Sequence, residues 1–62
     1  MDKQHYINMF NEEERDSGIM GLYPFCVGVI SAIVDNESYT PDTALDEIKK
    51  ALEALEIAKG GI

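Results

Sequence analysis

The chain has little with which to cross-link itself. Its single cysteine, Cys26, excludes an intramolecular disulfide. It sits in an apolar stretch, where a free thiol behaves as a small hydrophobe. One histidine, His5, and no CxxC pair leave no structural zinc set. Basic residues are also scarce. Five lysines and arginines stand against twelve acids, for a net charge of −7. Nucleic acids and anionic membranes attract basic surfaces, so direct binding to either is not expected. The start of the chain lacks the basic head and following apolar run of a secretory signal, and a cytoplasmic setting is expected.

Catalytic constellations are missing too. Ser31 and Ser38 lack the glycines of a nucleophile elbow. Gly18, Gly21 and Gly28 do not have phosphate-loop spacing, and no Lys-Ser/Thr pair follows them. His5, Met9 and Glu12 share a helical face, but nothing completes a ligand set. The expectation is a protein that is not an enzyme and uses no cofactor. At 62 residues it forms one domain, residues 1–62. Such a chain buries only about 60% of the surface it exposes when unfolded. With disulfide and metal excluded, self-association is the expected supplement.

What the chain does have is Ile19–Val34, IMGLYPFCVGVISAIV, sixteen residues without a charge. As a helix it would span ~24 Å, short of the ~30 Å hydrocarbon core, so a buried core helix is expected rather than a membrane span. Branched residues such as Val27, Val29 and Ile30 favour strands. The run is nevertheless long for a strand, and the chain has no second strand-like run to pair with it.

The pattern predicts an all-α domain of three helices, at about 3–16, 22–35 and 41–59, completed by oligomerisation. Asp2 is a candidate N-cap, and Tyr6, Met9 and Phe10 share one face. The acids Glu12–Glu14 oppose the dipole at that helix's end, and Ser17-Gly18 should stop it. Pro24 suits a first helical turn, which places the second helix's start near Leu22–Pro24. Thr40-Pro41-Asp42 is a helix start of cap, N1 proline and first-turn acid. Leu45, Ile48, Leu52 and Leu55 repeat at 3-4-3 spacing as a seam, and Gly60-Gly61 ends the last helix. Ile57 and Ile62 lie off the seam.

On a helical wheel the apolar stretch has a broad bulky arc and a narrow face of small residues. Gly28 and Ala32, four apart, would admit a close helix. A helix apolar nearly all round needs more cover than two short neighbours supply. A homo-oligomer, in its simplest form a dimer, is therefore expected to use Leu22, Phe25, Gly28, Val29, Ala32 and Ile33. On the last helix Asp42, Asp46, Glu53 and Glu56 could present a negative strip to a protein with a basic surface.

The functional expectation is a small acidic helical protein that self-associates and binds a protein as an inhibitory or regulatory adaptor. Small phage and mobile-element proteins have this kind of composition. The alternatives are an oligomer that holds a small ligand, such as a nucleotide signal, at its subunit interfaces, or a structural subunit of a larger assembly.

Overall fold

Asp2 opens the first element, its carboxylate accepting the backbone N–H of His5 at 2.9 Å. In the computed structural model, which describes residues 1–60, helix α1 runs from Lys3 to Asp35 and helix α2 from Pro41 to Ala58. No strand occurs among the described residues. The chain is all-helical. Gly61 and Ile62, one a proposed helix stop and the other an off-seam apolar residue, lie outside the described residues.

The three separate helices expected from the pattern are two elements here. The stop at Ser17-Gly18 is a break within α1, where Gly18 takes φ 74° and ψ 178°. That backbone region is essentially restricted to glycine. The chain re-enters helical geometry at once, without the gap to Leu22 that Pro24 suggested. Pro24 thus lies inside the element and not in a first turn. It has no N–H for the carbonyl of Met20, four residues back. Met20 is well exposed, so water can satisfy that carbonyl.

Gly18 divides α1 into two arms, and the turn between them is tight. A Cβ added at Gly21 would lie 2.5 Å from the Cβ of Ser17, closer than real contacts allow. The Glu13 carboxylate reaches the same spot, with Oε2 3.6 Å from that position. An acid there faces the first turn of the second arm, where the helix dipole favours it. Opposition at the end of the first arm is offset by attraction at the start of the next. Gly21→Ala is expected to destabilise the protein by about 1–2 kcal/mol, because backbone must shift to admit the methyl. In a domain this size that lowers the thermal midpoint by roughly 5–15 °C. An unchanged melt would show that the turn can open freely.

The second arm is followed by a short turn. Asn36 accepts the N–H of Ser38 through its side chain and that of Tyr39 through its carbonyl. Thr40 then caps α2 by accepting the Thr43 N–H at 3.2 Å, with Pro41 at the first helical position. At the far end Lys59 Nζ lies 5.5 Å from the centroid of the Tyr23 ring. The second arm and α2 therefore run antiparallel. The first arm folds back across them, and Phe10 meets Phe25 edge-to-face at 5.2 Å.

The core is built from all three segments. Tyr6, Phe10, Leu22, Cys26, Ile33, Ala51, Ala54 and Leu55 are buried. The seam expected on α2 is displaced. Leu55 is buried and Ile48 half-buried, but Leu45 and Leu52 are 53% and 44% exposed. The inward face instead carries Ala51 and Ala54, both fully covered, together with the carboxylate of Glu47. Bulky residues of α1 fill the interior, and α2 approaches them through its smallest side chains.

Candidate functional site: an uncovered apolar face beside a buried carboxylate

Rotation of α2 away from its leucine seam decides what the surface displays. Along the second arm Met20, Val27 and Val34 recur every seven residues, and they are 81%, 64% and 64% exposed. Leu45 and Leu52 have the same spacing on α2, and Lys59 continues their line. At 100° per residue each set forms one stripe along its helix. The Tyr23–Lys59 contact joins the two stripes at one end. Counting from that contact and from the turn brings Val27 near the level of Leu52 and Val34 near that of Leu45.

The opposite flanks of both helices belong to the first arm. Phe25 and Val29 are half-buried, and Phe25 touches Phe10. On α2 the flank of Lys50 meets Met1, with Lys50 Nζ 3.0 Å from the Met1 carbonyl oxygen. Met20, Tyr23, Val27, Val34, Leu45 and Leu52 therefore form one apolar face, on the side of the hairpin away from the first arm.

The residues expected to form an oligomer surface do not form a single exposed patch. Leu22 and Ile33 are inside the chain's own core. Phe25 and Val29 pack against that core from its edge. Gly28 and Ala32 are exposed, and a Cβ at Gly28 would meet nothing within 4 Å. The seven-residue recurrence of Met20, Val27 and Val34 was the signal for the face that is uncovered. Leu45 and Leu52 gave the matching signal on α2, but it also reads as a core seam.

All four acids of the expected strip are exposed. Three of them have lysine partners. Asp46 lies 3.2 Å from Lys50, Glu53 3.0 Å from Lys3, and Glu56 3.5 Å from Lys59. Asp42 has no ion pair among the described residues. Exposed pairs of this kind contribute about 0–1 kcal/mol each and separate readily.

The strongest polar constellation lies elsewhere. Glu47 is 4% exposed. Its Oε1 accepts the Tyr6 hydroxyl at 2.6 Å and the terminal ammonium of Met1 at 3.1 Å, and its Oε2 accepts Lys50 Nζ at 3.1 Å. The Tyr6 hydrogen bond, outweighing the effect of burial and aided by Lys50 and the terminus, lowers the Glu47 pKa from 4.5 to about 2. Burial first, and then Glu47, pushes the Tyr6 hydroxyl well above its ordinary value. Every buried side-chain polar atom among the described residues has a hydrogen-bond partner. A buried carboxylate that accepts three hydrogen bonds from three separate groups locks the structure around it.

No group of three metal-ligating side chains assembles among the described residues. Cys26 is buried, and burial raises its pKa and keeps it a thiol. A hollow of about 190 Å³ lies between the first arm and the turn, lined by Met1, Tyr6, Met9, Val29, Ile33 and Tyr39 among others. Its volume is that of one large side chain. A second, of about 230 Å³, is edged by Glu12, Glu13 and Asp16. Helix α1 is long and apolar enough to cross a membrane by length and composition alone, although the break at Gly18 divides it. No family model matches the chain, and no curated protein or solved structure shows significant similarity to it.

Proposed function

We propose that this chain works by protein association, as a small regulatory or inhibitory adaptor. The observation that carries this reading is the apolar face of Met20, Tyr23, Val27, Val34, Leu45 and Leu52, left uncovered by the rest of the described chain. Apolar patches of this kind mark interaction surfaces. The acids around it set the chemistry of a foreign partner. With a net charge of −7, the chain is steered toward basic protein surfaces and away from phosphate backbones. Asp42, Asp46, Glu53 and Glu56 are the contacts proposed for such a partner.

Two features weigh against other uses of the same surfaces. Ligand pockets fall at about 300–1,000 Å³, above the hollow behind Tyr6 and Tyr39, and none of the six residues named there is a lysine or arginine to hold a nucleotide phosphate. After the break at Gly18, the second arm has 17 residues to Asp35, about 25 Å of helix against a ~30 Å hydrocarbon core. Apart from Arg15, its charged neighbours at the water line are acids, not the basic residues that an anionic leaflet attracts.

Affinity capture from the cells that make the protein tests the reading. The wild type should retain a basic protein in a salt-sensitive manner, and Asp42→Lys/Glu53→Lys should release it while keeping the helical circular dichroism of the wild type. Capture of nothing above a scrambled-sequence control would refute the adaptor. Capture that ignores both salt and the double variant would refute the acidic contact.

A further inference from the structure

We infer that the apolar face is the site where a second copy of this chain docks, as a two-fold dimer of hairpins. The inference rests on the reading of the protein as one that acts by association, and it names a surface and an occupant. Three observations favour a second copy over a foreign helix or a lipid surface.

The first is the symmetry of the face. The α1 stripe Met20–Val27–Val34 and the α2 stripe Lys59–Leu52–Leu45 have the same seven-residue spacing. They run in opposite directions and adjoin at Tyr23 and Lys59. A face made of two matched antiparallel stripes is close to its own complement under a two-fold rotation, the arrangement an isologous interface requires. Packing two such hairpins gives a four-helix layer with seven-residue ridges on both sides.

The second is the charge at the rim. On the wheel of α2, Asp42, Lys49 and Glu56 flank the Leu45–Leu52 stripe on its outer side at seven-residue intervals, with Asp42 at the turn end and the oppositely charged Lys49 and Glu56 on either side of Leu52. Lys49 has no ion pair among the described residues. An antiparallel copy of α2 centred on Leu52 sets Lys49 of each chain opposite Glu56 of the other. On α1 the residues along the same rim are Pro24, Gly28 and Ser31, which carry no charge, and Asp35 at the turn end. A chain with a net charge of −7 can meet itself here because the rim acids Asp35 and Asp42 fall at the turn end of the face, away from its centre, and the pair nearest the centre is attractive. Flanking pairs of this type set partner choice and orientation in helical assemblies.

The third is area. The second arm and α2 lie side by side, each about 25 Å long and about 10 Å across, so their common face offers roughly 500 Å² per copy and about 1,000 Å² in all. That meets the lower bound for a specific interface and fits a dimer that exchanges with monomer. Lipid binding fits worse, since an interfacial helix needs a basic rim to hold it to anionic headgroups.

Sedimentation equilibrium and light scattering from roughly 1 to 500 µM test the inference on the whole chain. The wild type should pass from monomer to dimer within that range, with a melting temperature that rises with concentration. Val27→Glu and Leu52→Glu, both at exposed positions, should each remain monomeric throughout while keeping the helical circular dichroism of the wild type. Lys49→Glu should weaken the dimer at least ~tenfold, and Lys49→Glu/Glu56→Lys should restore it. A wild type that stays monomeric, a dimer unaffected by Val27→Glu and Leu52→Glu, or wild-type chain that co-sediments with phosphatidylcholine vesicles would each overturn it. A monomer that still captures a basic protein would overturn the dimer alone. A dimer that captures nothing would leave the face assigned and refute the adaptor.

Discussion

Glu47→Leu is expected to destabilise the protein by about 1–3 kcal/mol, the usual cost of leaving a buried donor without its acceptor. The penalty arises chiefly at Tyr6. Its hydroxyl donates to Glu47 at 2.6 Å inside the core, and without an acceptor it is a buried unsatisfied donor. Met1 and Lys50 lose less, because their side chains are partly exposed and can return to water. The double variant Tyr6→Phe/Glu47→Leu should therefore recover much of the loss, since an apolar pair of similar shape needs no partner. Denaturant unfolding of the wild type, both single variants and the double variant measures the coupling directly. Additive effects would show that Tyr6 and Glu47 do not act as a unit.

The same pair fixes a pH dependence. The Glu47 pKa is lowered from 4.5 to about 2 on folding, so the unfolded chain takes up this proton first. Its contribution to stability is complete above about pH 4.5 and is lost as the pH falls toward 2. For Tyr6 the shift is upward from 10.0. Its share is present below that value and declines as the pH rises past it, because only the unfolded chain then ionises. Stability measured between pH 5 and 2 should fall more steeply for the wild type than for Tyr6→Phe/Glu47→Leu. Equal slopes would remove Glu47 from the acid response.

That pair also marks the limit of what residue patterns disclose. Caps are local, so Asp2 and Thr40-Pro41 reveal both helix starts from the sequence. Gly18 reveals its break for the same reason. The restart at Ile19 does not follow, because Pro24 suits a first turn and nothing local says that the first turn comes five residues earlier. The register of α2 is hidden by competition between two stripes. Leu45, Ile48, Leu52 and Leu55 are larger than Ala44, Ala51 and Ala54, and the transfer free energy of apolar area favours burying the larger set. The alanine stripe goes inward because Phe10, Leu22 and Cys26 already occupy the interior and leave room only for close approach. Glu47 lies on that alanine side, and its partner Tyr6 is 41 residues away. A buried acid violates the binary pattern, and no spacing rule reaches that far along the chain. The candidate association site was half legible for the same reason. Its seven-residue recurrence is plain on both helices, but which recurrence faces outward depends on what fills the core.

Phe10→Ala should be more damaging than the loss of Glu47, about 3–5 kcal/mol for a buried phenylalanine. The ring is fully covered and meets Phe25 edge-to-face at 5.2 Å. Besides Phe10, Tyr6 is the fully buried large side chain of the first arm, so these two residues hold that arm to the rest. At roughly 0.05–0.15 kcal/mol per residue a chain of 62 residues has about 3–9 kcal/mol in all, and the substitution removes a large part of it. The first arm should fail first. It joins the rest at a glycine break and through few large contacts, features of a segment that opens below the global free energy. Hydrogen exchange of Phe10→Ala should therefore show amides of Lys3–Ser17 losing protection ahead of those in the second arm and α2. Uniform loss along the chain would show instead that the three segments unfold as one. The distinction bears on association, because the proposed docking face is built wholly from the second arm and α2. If the first arm opens alone, Leu22, Phe25 and Val29 are exposed on the back of that hairpin while the docking face remains. The variant should then form larger assemblies through its newly exposed side, a change light scattering detects, and adding Leu52→Glu should reduce those assemblies without restoring the melt.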